Sequence, residues 1–145
     1  MFYQSNYALQ QQLTHVKTSV LGIGGTGVTI KLAKTGFAPN PDSDPTTFPE
    51  ADYTGYAAVT ATTMTGISQT GNSFESSADT VASFAPTGST VGNQIAGYWF
   101  EDSAGHLLGY EQISPAIPMT GPLDSIDLVF RWQAQPASWP NTILP

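Results

Sequence analysis

Hydrophobic and polar side chains alternate with a period of two over much of this chain, the spacing of strands that bury one face. Val28, Ile30 and Leu32 alternate with Thr29, Lys31 and Ala33. Ile126, Leu128, Phe130 and Trp132 do the same against Asp127, Val129, Arg131 and Gln133, and predict a last strand. Between them, 56–64 is rich in β-formers, shorter strands are expected at 73–77 and 79–84, and the glycines of 66–71 bracket a turn. The strongest local signal is 94–113, where two aromatic and aliphatic runs flank Asp102, Ser103, Ala104 and Gly105. Asp at the start and Gly at the end of such a tetrad fit a type I turn, so this segment predicts a β-hairpin. The helical period is confined to Leu9, Leu13 and Val16, at i, i+4 and i+7, with Ser5 or Asn6 as the cap. Strands at roughly ten-residue spacing predict a mainly β fold, a single antiparallel β-sandwich or small barrel.

The connection at 36–55 contains four prolines and several Asp, which disfavour a helix or central strand, and it reads as a long surface connection. The two ends read as extended arms around the β-domain, giving an N-terminal arm 1–25, a β-domain 26–134 and a C-terminal arm 135–145. The last segment contains three prolines yet also Trp139, Ile143 and Leu144. A tail that is irregular but apolar gains by docking on something. The first 25 residues repeat the mixture with Phe2, Tyr3 and Tyr7, followed by a glycine-rich stretch that reads as a flexible hinge. These six apolar residues are the candidates for protein contact.

A chain of 145 residues suits one domain with a single core. Charged residues make up only 10% of it, so the polar surface comes from Thr, Ser, Gln and Asn. Uncharged hydroxyls and amides are cheaper to desolvate than ions, which suits a surface covered by neighbours. Four Lys and Arg against eleven Asp and Glu leave a net charge of −7, which opposes binding to nucleic acid and to anionic membranes. Without cysteine there is neither a disulfide nor a thiolate metal site. No apolar run reaches the roughly 18 residues of a membrane span and the start lacks a basic signal region, so a soluble chain without an export signal is expected.

The candidate chemistry is sparse. Gly22, Gly24 and Gly27 fit G-x-G-x-x-G, but a period-two strand follows where a dinucleotide fold requires a helix. His15 and His106 have no partner at ligand spacing. Asp42 and Asp44 resemble the start of a calcium loop, yet the other ligands and its glycine are missing, and Asx turns beside proline explain them better. Glu50, Asp52, Glu75, Glu101, Asp102 and Glu111 are the carboxylates that a fold can bring together for glycoside hydrolysis. Tyr98, Trp99, Phe100 and Tyr110 divide between core packing, protein contact and sugar stacking, with core packing foremost. No catalytic residue, metal ligand or cofactor is expected, and the chain reads as non-enzymatic.

The run VTIKLAKTGFAPNPDSDPTTFPEADYTGYAAV, followed by GYWFEDSAGHLLGYEQI, resembles a group of small virion proteins encoded among the structural genes of tailed phages. The matching residues are Phe37 and Pro39, Phe48 with Glu50 and Ala51, Gly55, Tyr56 and Ala57, and Asp102 with Gly105. The likeness spans 28–113 and leaves both arms outside it. It implies a capsid cement or decoration protein that binds the major capsid protein lattice and stabilises the head. It also implies a homo-oligomer on the virion surface, assembled in the host cytoplasm, and carries no active-site residues. The alternative is a tail- or fibre-associated β-module that binds a host surface carbohydrate.

Overall fold

The computed structural model describes residues 10, 13–71, 73–79, 81–88 and 93–134. The expected alternation is realised at Val28–Lys34 (β1), where Val28, Ile30 and Leu32 are fully buried. Val59–Ala61 (β2), Ser68–Thr70 (β3), Ser73–Ser77 (β4) and Ala82–Phe84 (β5) follow, then Asn93–Glu101 (β6) and Leu107–Met119 (β7), and finally Ile126–Leu128 (β8) and Arg131–Ala134 (β9). The fold is mainly β, and every strand pair is antiparallel. The strands form three sheets in the orders β2-β1-β6-β7, β3-β4-β9 and β5-β8, none of which closes into a barrel.

The hairpin forms as expected from β6 and β7. Its turn is held by Gly105 N–H donating to Asp102 O at 3.1 Å, and by Ala104 and His106 N–H donating to Asp102 Oδ1 at 2.9 Å each. Other segments differ from the sequence reading. The strand expected at 56–64 shrinks to β2, and the turn expected at 66–71 holds β3. The last strand keeps its alternation but divides, because β8 pairs with β5 whereas β9 pairs with β4. Side-chain period records which face is buried, not which neighbour a strand pairs with.

The main core joins one face of the four-stranded sheet (Val28, Ile30, Leu32, Ile95, Met119) to the inner face of β5 and β8 (Ala82, Phe84, Ile126) and to Phe130. Its hydrophobic residues would lose roughly 25 cal/mol per Å² of apolar surface if exposed. A helical turn over 13–20, π-helical at Val16–Val20, lies within the segment assigned to the first arm. Leu13 at its start and Leu21 just after it are fully buried, Leu13 against Phe74 and Leu21 in the main core. This part of the first 25 residues is therefore packed against the body. The expected hinge is a hydrogen-bonded turn, in which Gly27 N–H and Gly25 N–H donate to Gly22 O at 2.9 and 3.0 Å, and Gly24 N–H to Thr62 O at 2.9 Å. Gly27 has φ +75°, and a Cβ there would lie 2.3 Å from Ala61 O, so the glycine lets two backbones touch. The contact candidates Phe2, Tyr3, Tyr7, Trp139, Ile143 and Leu144 lie outside the described residues.

Candidate functional site

The 36–55 connection contributes more than surface. β2 covers β1 only as far as Ile30, and 49–51 take over its role at the edge. Lys34 N–H donates to Pro49 O at 2.8 Å, Ala51 N–H to Leu32 O at 2.9 Å, and Leu32 N–H to the Tyr56 hydroxyl at 3.1 Å. Phe37, Ala51 and Tyr53 from the same connection are buried. Prolines suit this segment because it supplies only isolated edge bonds and no regular ladder.

Here the fold brings polar and aromatic side chains together. Direct cross-strand pairing sets Lys31 against Trp99 and Ala33 against Gly97, on the face of the sheet opposite the main core. Phe37 stacks on Trp99 at 5.9 Å between centroids, and Phe48 meets both rings edge-on at 4.9 and 5.2 Å. Gly97 leaves the space for Phe37. A Cβ at 97 would fall 2.5 Å from the Phe37 ring and 2.4 Å from Glu111 O. Lys31 Nζ lies 3.3 Å from Glu101 and 3.5 Å from Glu50, and 5.8 Å from the Trp99 ring centre. The Trp99 indole N–H donates to Glu101 at 2.6 Å, and the Tyr56 hydroxyl donates to Glu50 at 3.0 Å. Burial, with the Glu50 charge beside it, pushes the Tyr56 phenol well above its ordinary range.

Of the carboxylates singled out in the sequence, only Glu50 and Glu101 share a partner, and that partner is the cation Lys31. Asp52 pairs with Lys34 and accepts from Asn93 Nδ2 at 3.0 Å; the Lys34 hydrogen bond first, then Asn93, hold its carboxyl below the usual range. Glu75 faces Arg131 at 3.9 Å and accepts from Gln133, Asp102 closes the hairpin turn, and Glu111 accepts from the Tyr98 hydroxyl. Burial first, and then Glu111, push the Tyr98 phenol up to about 12. A glycosidase's proton donor sits in an apolar pocket or beside a like charge. The pair here flanks an ammonium group, an arrangement that clamps the connection to β1 and β6.

The other candidates have local structural roles. Asp44 caps the 3-10 turn Pro45–Thr47, accepting from Thr46 N–H at 2.9 Å and its hydroxyl at 2.7 Å, whereas at Asp42 it is Asn40 that makes the Asx contact. His106 Nδ1 lies 2.8 Å from Asp102 Oδ2, and His15 is exposed beside the π-helix. The G-x-G-x-x-G glycines shape the turn that leads into β1. No group of three metal-ligating side chains occurs among the described residues, and none of their helices is long and apolar enough to cross a membrane. Trp99 is 1% exposed, Tyr98 and Phe100 pack against the main core, and Tyr110 is 36% exposed.

Sequence reasoning missed Lys31 and the Phe37–Phe48 pair as organisers. The available signal was a basic residue at the centre of a strand in a chain with only four cations. No family model, no curated protein and no solved structure matches this chain.

Proposed function

We propose that this chain is a non-enzymatic virion structural protein, a cement or decoration protein that binds the major capsid protein lattice of a phage head and stabilises it. In this reading a sandwich-like β-body sits on the shell and the apolar residues at both ends reach onto neighbouring subunits. The observation that carries it is how the body uses its ionic and aromatic groups. Lys17 donates to Thr65 O at 2.8 Å, and Lys31, Lys34 and Arg131 face carboxylates, so each of the four cations has an internal partner. The body's polar clusters hold the fold together, while Phe2, Tyr3, Tyr7, Trp139, Ile143 and Leu144 are the residues that a neighbouring surface would cover. Small burials repeated over many copies reinforce a shell strongly. The carbohydrate-binding alternative draws on Tyr110 alone among the hairpin aromatics.

The test mixes full-length protein with particles lacking it and follows binding and heat-induced DNA release. Deletion as far as Thr26 is the wrong comparison, because it removes Leu13 and Leu21 from the packed body. The comparison is a full-length variant with Phe2, Tyr3, Tyr7, Trp139, Ile143 and Leu144 changed to Ser. Unaltered protein is expected to bind and delay release, and the variant to lose at least tenfold in affinity. Equal binding by the two would remove the arms from the mechanism. Failure of both to bind would end the cement reading and move attention to glycans.

A further inference from the structure

The β5–β8 pair is a two-stranded sheet with one face in the main core and the other open. Its register sets Ala82 against Leu128, Ser83 against Asp127 and Phe84 against Ile126. Ala82, Phe84 and Ile126 point inward. Ser83 and Asp127 point outward, joined by a 2.6 Å hydrogen bond. The next step of that register is Val81 and Val129, which share the outward parity and are 49% and 46% exposed. A solvated strand face ordinarily carries polar residues, as Ser83 and Asp127 do, whereas β-branched valines fit a face that is covered.

At the other end of β8 stands Leu123, fully exposed. The turn that carries it is closed by hydrogen bonds on either side of it. Asp124 Oδ2 accepts from Thr120 N–H at 2.6 Å, the Thr120 hydroxyl at 2.8 Å and Gly121 N–H at 3.1 Å, while Asp124 N–H donates to Gly121 O at 3.0 Å. Pro122 fixes a further backbone angle inside this turn. An apolar side chain presented on an ordered turn loses little freedom when it enters a partner.

Charge decides the partner's chemistry. Asp124 and Asp127 stand among these apolar residues, and the basic residue nearest in sequence, Arg131, faces Glu75 of β4. With every cation of the chain internally engaged and a net charge of −7, the molecule's outward field is negative. A second copy placed on this face across a two-fold axis would set Asp127 near its own mate. We propose that the outward β5–β8 face, with Val81, Val129 and Asp127, together with Leu123 on the turn that leads into β8, is a docking surface for a basic protein surface studded with apolar side chains. This rests on the reading of the chain as an attachment protein and adds to the arms a contact made by the body itself.

The test uses full-length protein and a synthetic peptide of alternating Lys and Leu, with a Glu and Leu peptide as the control, followed by titration calorimetry at low and high salt. A double variant, V81S with V129S, and the single variant L123S alter only outward side chains, and circular dichroism checks that each is folded. The proposal expects the Lys–Leu peptide to bind, the double variant to lose at least tenfold, L123S to lose severalfold, and high salt to weaken binding. Absence of Lys–Leu binding, equal binding of the acidic peptide, or unchanged affinity in both folded variants would overturn it. So would dimerisation of the unaltered protein that V81S with V129S abolishes, since a second copy would then be the occupant. Particle binding by the arm variant, read in parallel, separates this outcome from that of the cement reading.

Discussion

Gly97 lies where β6 meets both the Phe37 ring and the β7 backbone, and no larger residue fits without displacing one of them. Gly97→Ala is expected to destabilise the protein by about 1–3 kcal/mol, the range of an overpacked core, as measured by denaturant unfolding. A cost below about 0.5 kcal/mol would mean that the Phe37 ring moves freely. Tyr53 poses the opposite case. It is buried, packs edge-on against Tyr56 at 5.3 Å, and its hydroxyl has no hydrogen-bond partner among the described residues. An unsatisfied buried hydroxyl costs stability, so Tyr53→Phe should leave unfolding unchanged or improve it by up to about 1 kcal/mol. A clear loss would show that the hydroxyl is engaged.

Turns connect these strands through side-chain carboxylates, and the turn before β8 is the best example. Hydrogen bonds from the Thr120 backbone and hydroxyl, joined by Gly121 N–H, hold the Asp124 carboxyl below its ordinary range. A carboxyl whose value is lowered on folding adds stability above its unfolded value, about 3.9, and loses it as pH falls through the folded one. Asp124→Ala should therefore unfold at lower temperature than the unaltered protein at neutral pH, with the gap closing in acid below about pH 4. A gap that persists unchanged at pH 2 would assign the effect to something other than the carboxylate. The hairpin turn uses the same device at Asp102, and there the sequence was explicit, because Asp and Gly at fixed positions describe the turn without reference to the rest of the chain. The division of the last strand was not legible. Ile126, Leu128, Phe130 and Trp132 keep one parity while the partner changes from β5 to β4.

At the scale of the molecule, three open sheets and a proline-rich connection are held together by a shared core and by ion pairs, among which Lys31 joins three segments. Lys31 links β1 to the connection through Glu50 and to β6 through Glu101, with the side chains of Lys31 and Glu101 24% and 12% exposed. Removing the cation leaves two partly desolvated carboxylates facing each other. Lys31→Met is expected to cost about 1–2 kcal/mol, less than a fully buried pair because water still reaches the site. Its destabilisation should shrink in high salt as the carboxylates are screened. An unchanged midpoint would reduce the clamp to a surface contact.

What this sequence determined by itself is local: the parity of β1, the hairpin and its turn, and the caps at Asp44 and Asp102. Each of these depends on residues within a few positions of one another. Tertiary structure alone decided that Leu13 and Leu21 belong to the packed body, that 49–51 complete the edge of β1, and that Lys31 brings Glu50 to Glu101. It likewise decided that Trp99 is buried while Val81 and Val129 face outward. Those outcomes depend on contacts between residues far apart in the chain, where the same periodic pattern is compatible with several pairings and only the joint burial of apolar surface selects among them.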